Sequence, residues 1–214
     1  AGAPILEVLR RYPKQVLLAI GARVGVDVAF YTFVLFITTY VATYLKLPRN
    51  YALNAVLIAA AVQIVLIPFF GSLSDRFGRR PVYLAGAIGA AVWVFVFFAM
   101  LDTGQFWLIV LATVVALVFH AAMYGPQAAF ISEMFPTKVR YTGASMGYQL
   151  AGIIGGALAP IISVALLDRF DSSIVVSVYA VIMLLVTIIC VLLAPETSKI
   201  DLQAESVDQP TGAR

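Results

Sequence analysis

The chain has 214 residues, of which 62% are hydrophobic and only 12% charged, with a mean hydropathy of +0.98 and a formal net charge of +3. A soluble domain is about 45–50% apolar, so this composition excludes one and makes lipid the solvent. The small positive charge gives no reason to expect a nucleic-acid partner, because membrane topology accounts for it. A bilayer core of about 30 Å takes roughly twenty apolar residues per helix, and six runs of that length follow one another. Beta-barrel strands alternate apolar and polar residues over about ten positions, and no segment here does so.

In chain order, residues 1–14 are a basic segment containing LRRYPK. The first span, 15–45, would be uncharged but for Arg23 and Asp27. A charge at mid-bilayer costs about 2.5–3.5 kcal/mol unless it faces protein or water, which makes both residues functional candidates. Their i, i+4 spacing sets them on one face, where they can neutralise each other, and Tyr31 extends that face by four more residues. Two readings stay open: a structural ion pair near the cytoplasmic end of a long helix, or contacts for an anionic substrate or a cycled proton. Gly21 and Gly25 form a G-x-x-x-G pair suited to close helix packing.

The second span, 50–74, contains Pro68, a candidate kink. It runs into the densest charge in the chain, GSLSDRFGRRP, with Gly71, Asp75, Arg76, Gly78, Arg79 and Arg80. There Gly78 can form a turn and Pro81 can open the next helix. The third span, 82–101, is almost purely apolar. The fourth, 105–132, holds the one histidine, His120, with Tyr124 and Gln127 at i+4 and i+7 and Pro126 to break the backbone regularity. His120 is either a hydrogen-bonded packing residue or a substrate or proton contact, and Tyr148 and Gln149 on the fifth span, 141–167, stand in the same position. Glu133 and Arg140 border the turn between these two spans, and Gly143, Gly147, Gly152 and Gly156 supply two further G-x-x-x-G pairs. Pro160 is another candidate kink. The sixth span, 174–194, carries Cys190, whose lack of a second cysteine leaves packing as its role. Residues 195–214 are a polar tail.

With six spans, Arg10, Arg11, Lys14, Arg76, Arg79, Arg80, Lys138 and Arg140 share one side, against Lys46, Arg49 and Arg169 on the other. The positive-inside rule then places both ends of the chain in the cytoplasm. Polarity is highest in the first helix of each triplet and lowest in the third, as a 3+3 inverted repeat requires when leading helices line a cavity and closing ones face lipid. DRF recurs at residues 75–77 and 168–170, in matching places of the two triplets.

GSLSDRFGRRP resembles the G-x-x-x-D-R-x-G-R-R signature of the major facilitator superfamily at every fixed position. The stretch YGPQAAFISEMFPTKVRYTGASMGYQLAGIIGGALAPII, together with the closing PETSK, is similar to the second half of its metabolite:proton symporter branch, the shikimate, 2-oxoglutarate and proline/betaine carriers. The resemblance implies an all-α integral membrane protein, helices seven to twelve of a twelve-helix carrier in the inner membrane, whose partners are a small organic metabolite, the bilayer and a missing amino-terminal six-helix half. It implies no metal or other cofactor, with the proton as coupling ion. It also implies that Asp75, Arg79, Glu133 and Arg140 form a charge network that locks the cytoplasmic side. The opening AGAPILE has neither an initiator Met nor a signal-peptide arrangement, which agrees with something preceding it. A non-transporting sensor or a channel on the same fold is the alternative. An intramembrane serine protease is not expected: Ser145 sits in a G-x-S context, but the single histidine precedes it by a whole helix.

Overall fold

The computed structural model describes residues 4–197, so the polar tail from residue 198 onward lies outside the described residues. Within that range all regular structure is helical. A short helix α1 (Pro4–Arg11) precedes six helices long and apolar enough to cross a membrane: α2 (Pro13–Tyr44), α3 (Arg49–Phe77), α4 (Arg79–Asp102), α5 (Phe106–Glu133), α6 (Arg140–Phe170) and α7 (Ser173–Leu193). Helices are what lipid demands, because each backbone N–H and C=O must find its partner inside its own segment.

The helix ends follow local chemistry. Pro13 opens α2, where its missing N–H costs nothing, and the Ser172 side chain accepts from the amide of Ile174 at the start of α7. The charge cluster after the second span is not a loop. Helix α3 continues through Asp75, Arg76 and Phe77, and α4 begins at Arg79, so Gly78 alone makes the turn. Its φ of 105° lies where only glycine is comfortable. The echoed DRF behaves alike: Phe170 ends α6, and the next residue, Asp171, also has positive φ, 49°.

Helix pairing repeats with the same period. Helix α5 packs on α3 and α4, α2 packs on α6 and α7, and α4 meets α7. Exchanging α2 with α5, α3 with α6 and α4 with α7 reproduces each of these pairings. Successive spans alternate in direction, so helices three apart run oppositely, and the repeat is an inverted one. The leading helices α2 and α5 are the most enclosed. The least covered is α3, with only 11% of its membrane-length window buried, although α4 and α7 were expected to be the most lipid-facing. Apolarity says that a helix tolerates lipid, not that its neighbours leave it uncovered. Helices α4 and α7 cover each other as well as the leading helices, whereas α3 packs mainly on α5.

Two helices depart from regular α geometry. Helix α2 widens to π turns at Tyr31–Phe36 and Tyr40–Tyr44, and α6 at Gly152–Ala157. Pro160 offers no N–H to the Gly156 carbonyl and its ring presses on it, which accounts for the widening just before it. The glycine pairs are unequal. A Cβ on Gly25 would lie 2.6 Å from Met183 O and Thr187 Oγ1, and one on Gly147 2.8 Å from Ala19 Cβ. Gly21 abuts Cys190, Gly143 the Phe135 ring and Gly156 the Tyr31 ring. Gly152, expected on a packing face, meets nothing within 4 Å among the described residues. Gly155 makes the close contact instead: its Cβ would lie 2.6 Å from Val24 O.

Candidate functional site

Helices α2, α3 and α5 form one side of a cavity of about 340 Å³ lined by Arg23, Asp27, Phe30, Tyr31, Gln63, Ile67, His120 and Tyr124. Arg23 Nε donates to Asp27 Oδ2 at 3.0 Å, one helical turn away, and Asp27 is only 8% exposed. At about 1.5 Å per residue these two groups lie roughly 15 and 21 Å from the start of α2, well inside a helix of 32 residues.

Arg23 is held from three sides. Its Nη1 donates to Gln127 Oε1 at 3.3 Å, and its guanidinium carbon sits 4.1 Å from the centroid of the Tyr148 ring. Gln127 Nε2 donates to the Tyr83 hydroxyl at 3.0 Å, which donates to Ala22 O at 2.8 Å. The chain of bonds therefore leaves Arg23 through α5, passes to α4 and returns to the backbone beside Arg23. On the opposite wall Gln63 Nε2 bonds both Leu117 O at 3.2 Å and His120 Nδ1 at 2.8 Å. With the amide donating, Nδ1 accepts, and the neutral ring carries its proton on Nε2. The imidazole stacks on Tyr124 with centroids 5.4 Å apart and meets Phe30 at 5.1 Å.

Of the sequence candidates, Arg23, Asp27, Tyr31, His120 and Tyr124 thus line one cavity, and Gln127 and Tyr148 reach it through Arg23. Gln149 does not join them. It is exposed and lines a separate hollow of about 600 Å³ with Ser132, Thr137, Arg140, Tyr141, Ala144, Ser145 and Tyr148. Ser145 is therefore in that hollow and away from His120.

A second cluster occupies one end of the bundle. The Arg79 guanidinium contacts Asp75 and the Ser74 hydroxyl through Nη1, the latter at 2.9 Å, and Glu133 through Nη2 at 3.1 Å and Nε at 3.4 Å. The carboxylate of Glu196, just beyond α7, accepts from the backbone amides of Arg79 at 2.9 Å and Arg80 at 3.1 Å. This caps the positive end of the α4 dipole. Arg80 Nη2 donates to Leu192 O at 2.7 Å. A Cβ at Gly78 would lie 2.9 Å from Glu196 Oε2, and Gly71 lies against Gly125. Arg76 is exposed. Arg140, expected in the network, makes no ion pair among the described residues. Its Nε donates to Phe135 O at 3.2 Å, because the six residues joining α5 to α6 fold back on themselves.

Sequence reasoning missed Gln63, Tyr83 and Glu196. The first two had a signal: Gln63 is the one polar side chain between Ala55 and Gly71, and Tyr83 and Trp93 are the only hydrogen-bonding side chains of residues 82–101. Glu196 stood in plain view in PETSK, but its partners are backbone amides that no residue pattern displays.

Residues 19–212 match the profile of the Major Facilitator Superfamily. The chain is 34% identical over 168 residues to the Shikimate transporter of Escherichia coli (strain K12), covering 78% of this chain and 38% of that protein. It is 32% identical over 217 residues to the Inner membrane metabolite transport protein YhjE of the same organism, covering 91% and 49%. To the Citrate-proton symporter of Klebsiella pneumoniae it is 33% identical over 141 residues, covering 65% and 32%. The chain thus spans about half or less of the length of these relatives. They are transporters by name rather than enzymes, and six apolar spans make this a multi-pass membrane protein. The chain belongs to the Major Facilitator Superfamily.

Proposed function

We propose that this chain is the carboxy-terminal half of a secondary active transporter in the inner membrane, with both its ends cytoplasmic. The complete carrier moves a small organic metabolite, a carboxylate or zwitterion, together with protons by alternating access. The observation that carries this reading is the Arg23–Asp27 pair inside a polar, aromatic-walled cavity. Ion pairs placed deep in a membrane helix mark substrate and proton routes. An incoming carboxylate competes with Asp27 for the Arg23 fork, and Asp27, once released, is the group that takes up the proton. A second half supplied by the rest of the polypeptide closes the other side of the cavity. The shikimate and citrate named for the relatives are the first substrates to try.

The test is uptake of radiolabelled shikimate and citrate by cells making the complete protein, with and without an uncoupler. Accumulation against a gradient that an uncoupler collapses is expected. Asp27→Asn should abolish accumulation while leaving exchange of external for internal substrate. Flux that only runs downhill identifies a channel, and no flux for any small carboxylate or betaine identifies a sensor; either overturns the proposal.

A further inference from the structure

The turn of α2 that bears Arg23 is joined to α7 by one side-chain hydroxyl. Thr187 Oγ1 donates to Gly21 O at 2.7 Å and accepts from Gly25 N at 2.9 Å. Gly21 and Gly25 are the carbonyl and amide that one helical hydrogen bond would join, and they lie two residues to either side of Arg23. A hydroxyl bonded to both ends of that rung braces the local geometry of the helix. Thr187 is fully buried. It is also unlike its peers: among the described residues, the other Ser and Thr hydroxyls that donate to a carbonyl do so within three or four residues on their own helix, as Thr113 does to Ile109 O and Ser177 to Ser173 O. Only glycine at residue 25 lets the hydroxyl in. Across α2, Gly155 presses on Val24 O and on Asp27, so the turn is gripped from two sides.

We infer that Thr187 is a positioning residue, whose hydroxyl fixes the turn of α2 that presents Arg23 and Asp27 to the cavity. This rests on the reading of that pair as the substrate site. Ser and Ala at residue 187 differ only by the hydroxyl, so their comparison isolates it. In the complete protein, the rate at which phenylglyoxal modifies Arg23 is followed by mass spectrometry of its peptide, with Arg140 as internal reference. Thr187→Ala should change the Arg23 rate about threefold to tenfold, the worth of one or two hydrogen bonds, and Thr187→Ser should restore it. Shikimate uptake should show the same order in KM with kcat less affected. Thr187→Val, which keeps the shape without the hydroxyl, serves if the Ala protein is poorly recovered. Equal Arg23 rates for Ser and Ala, with only a lowered unfolding temperature, overturn the inference and leave Thr187 as packing. An altered Arg23 rate with uptake indifferent to Arg23→Gln upholds the positioning and instead removes the substrate reading.

Discussion

Arg23 engages three partners that need three different properties of a guanidinium: charge for Asp27, a second donor for Gln127 and a flat face for Tyr148. Lysine has the charge but neither the fork nor the face. Arg23→Lys should therefore fold and keep its pairing with Asp27, yet lose about tenfold or more in substrate affinity, since hydrogen bonds to charged groups are worth about 1.5–3 kcal/mol. Direct binding or the KM of uptake measures this, and an unchanged KM would show that the charge alone suffices. Legibility at this scale follows cost. Arg23 and Asp27 could be read because a charge in an apolar run must be explained, and His120 because it is the only one. Tyr83 could not be ranked, since a tyrosine costs little in a membrane helix and its role appears only when α4 lies against α2 and α5. Arg140 was misjudged for the opposite reason: a charge near a helix end has many cheap partners, and here a carbonyl took it.

Helix boundaries were legible to within a few residues because lipid allows so few alternatives, and the charged junctions mark where each span must stop. The widened turns were not, although Pro160 hinted at one, because a π turn arises from a competition between packing and a single lost hydrogen bond. The glycines of the G-x-x-x-G pairs differ in how closely they are packed. Gly25→Ala puts a methyl 2.6 Å from Met183 O and Thr187 Oγ1, so α2 and α7 must separate, at a cost of about 1–3 kcal/mol. Gly152→Ala adds its methyl to open space and removes a flexible residue from a helix, which should stabilise by about 0.4–1 kcal/mol. Thermal unfolding in detergent checks both, with the melting temperature falling for the first and holding or rising for the second. The reverse order would mean that the turn at Gly152–Ala157 is packed in a different register.

For the whole molecule, the cavity and the charge cluster are distinct objects tied by shared helices, α3 supplying Gln63 and Ile67 to the first and Ser74 and Asp75 to the second. Helix α5 supplies His120 and Gln127 to the first and Glu133 to the second, about 20 Å further along for His120 at 1.5 Å per residue. No side chain belongs to both. A change at the cluster should therefore leave binding alone and alter only the ease with which that end of the bundle parts from what it meets. Within the cluster the exposures rank the members: the Asp75 side chain is 62% exposed, while Arg79 and Glu133 are 13% and 14% exposed. An exposed pair is worth at most about 1 kcal/mol, whereas removing one partner of an enclosed pair strands the other, at about 3–5 kcal/mol. Asp75→Asn should then keep the unfolding temperature and KM and slow turnover, by the proposed role of this end as the lock of the cytoplasmic side. Glu133→Gln should lower stability as well, because Arg79 loses its more buried carboxylate. Glu196→Gln weakens the cap on α4 and belongs between them, since it replaces one of the two accepting oxygens with an amide donor and removes the charge that offsets the helix dipole. Uptake kinetics and melting curves of the three variants of the complete protein give the order directly. A raised KM in Asp75→Asn would mean that the cluster and the cavity share an energy that the structure keeps apart, and an unchanged rate would mean that the lock lies elsewhere.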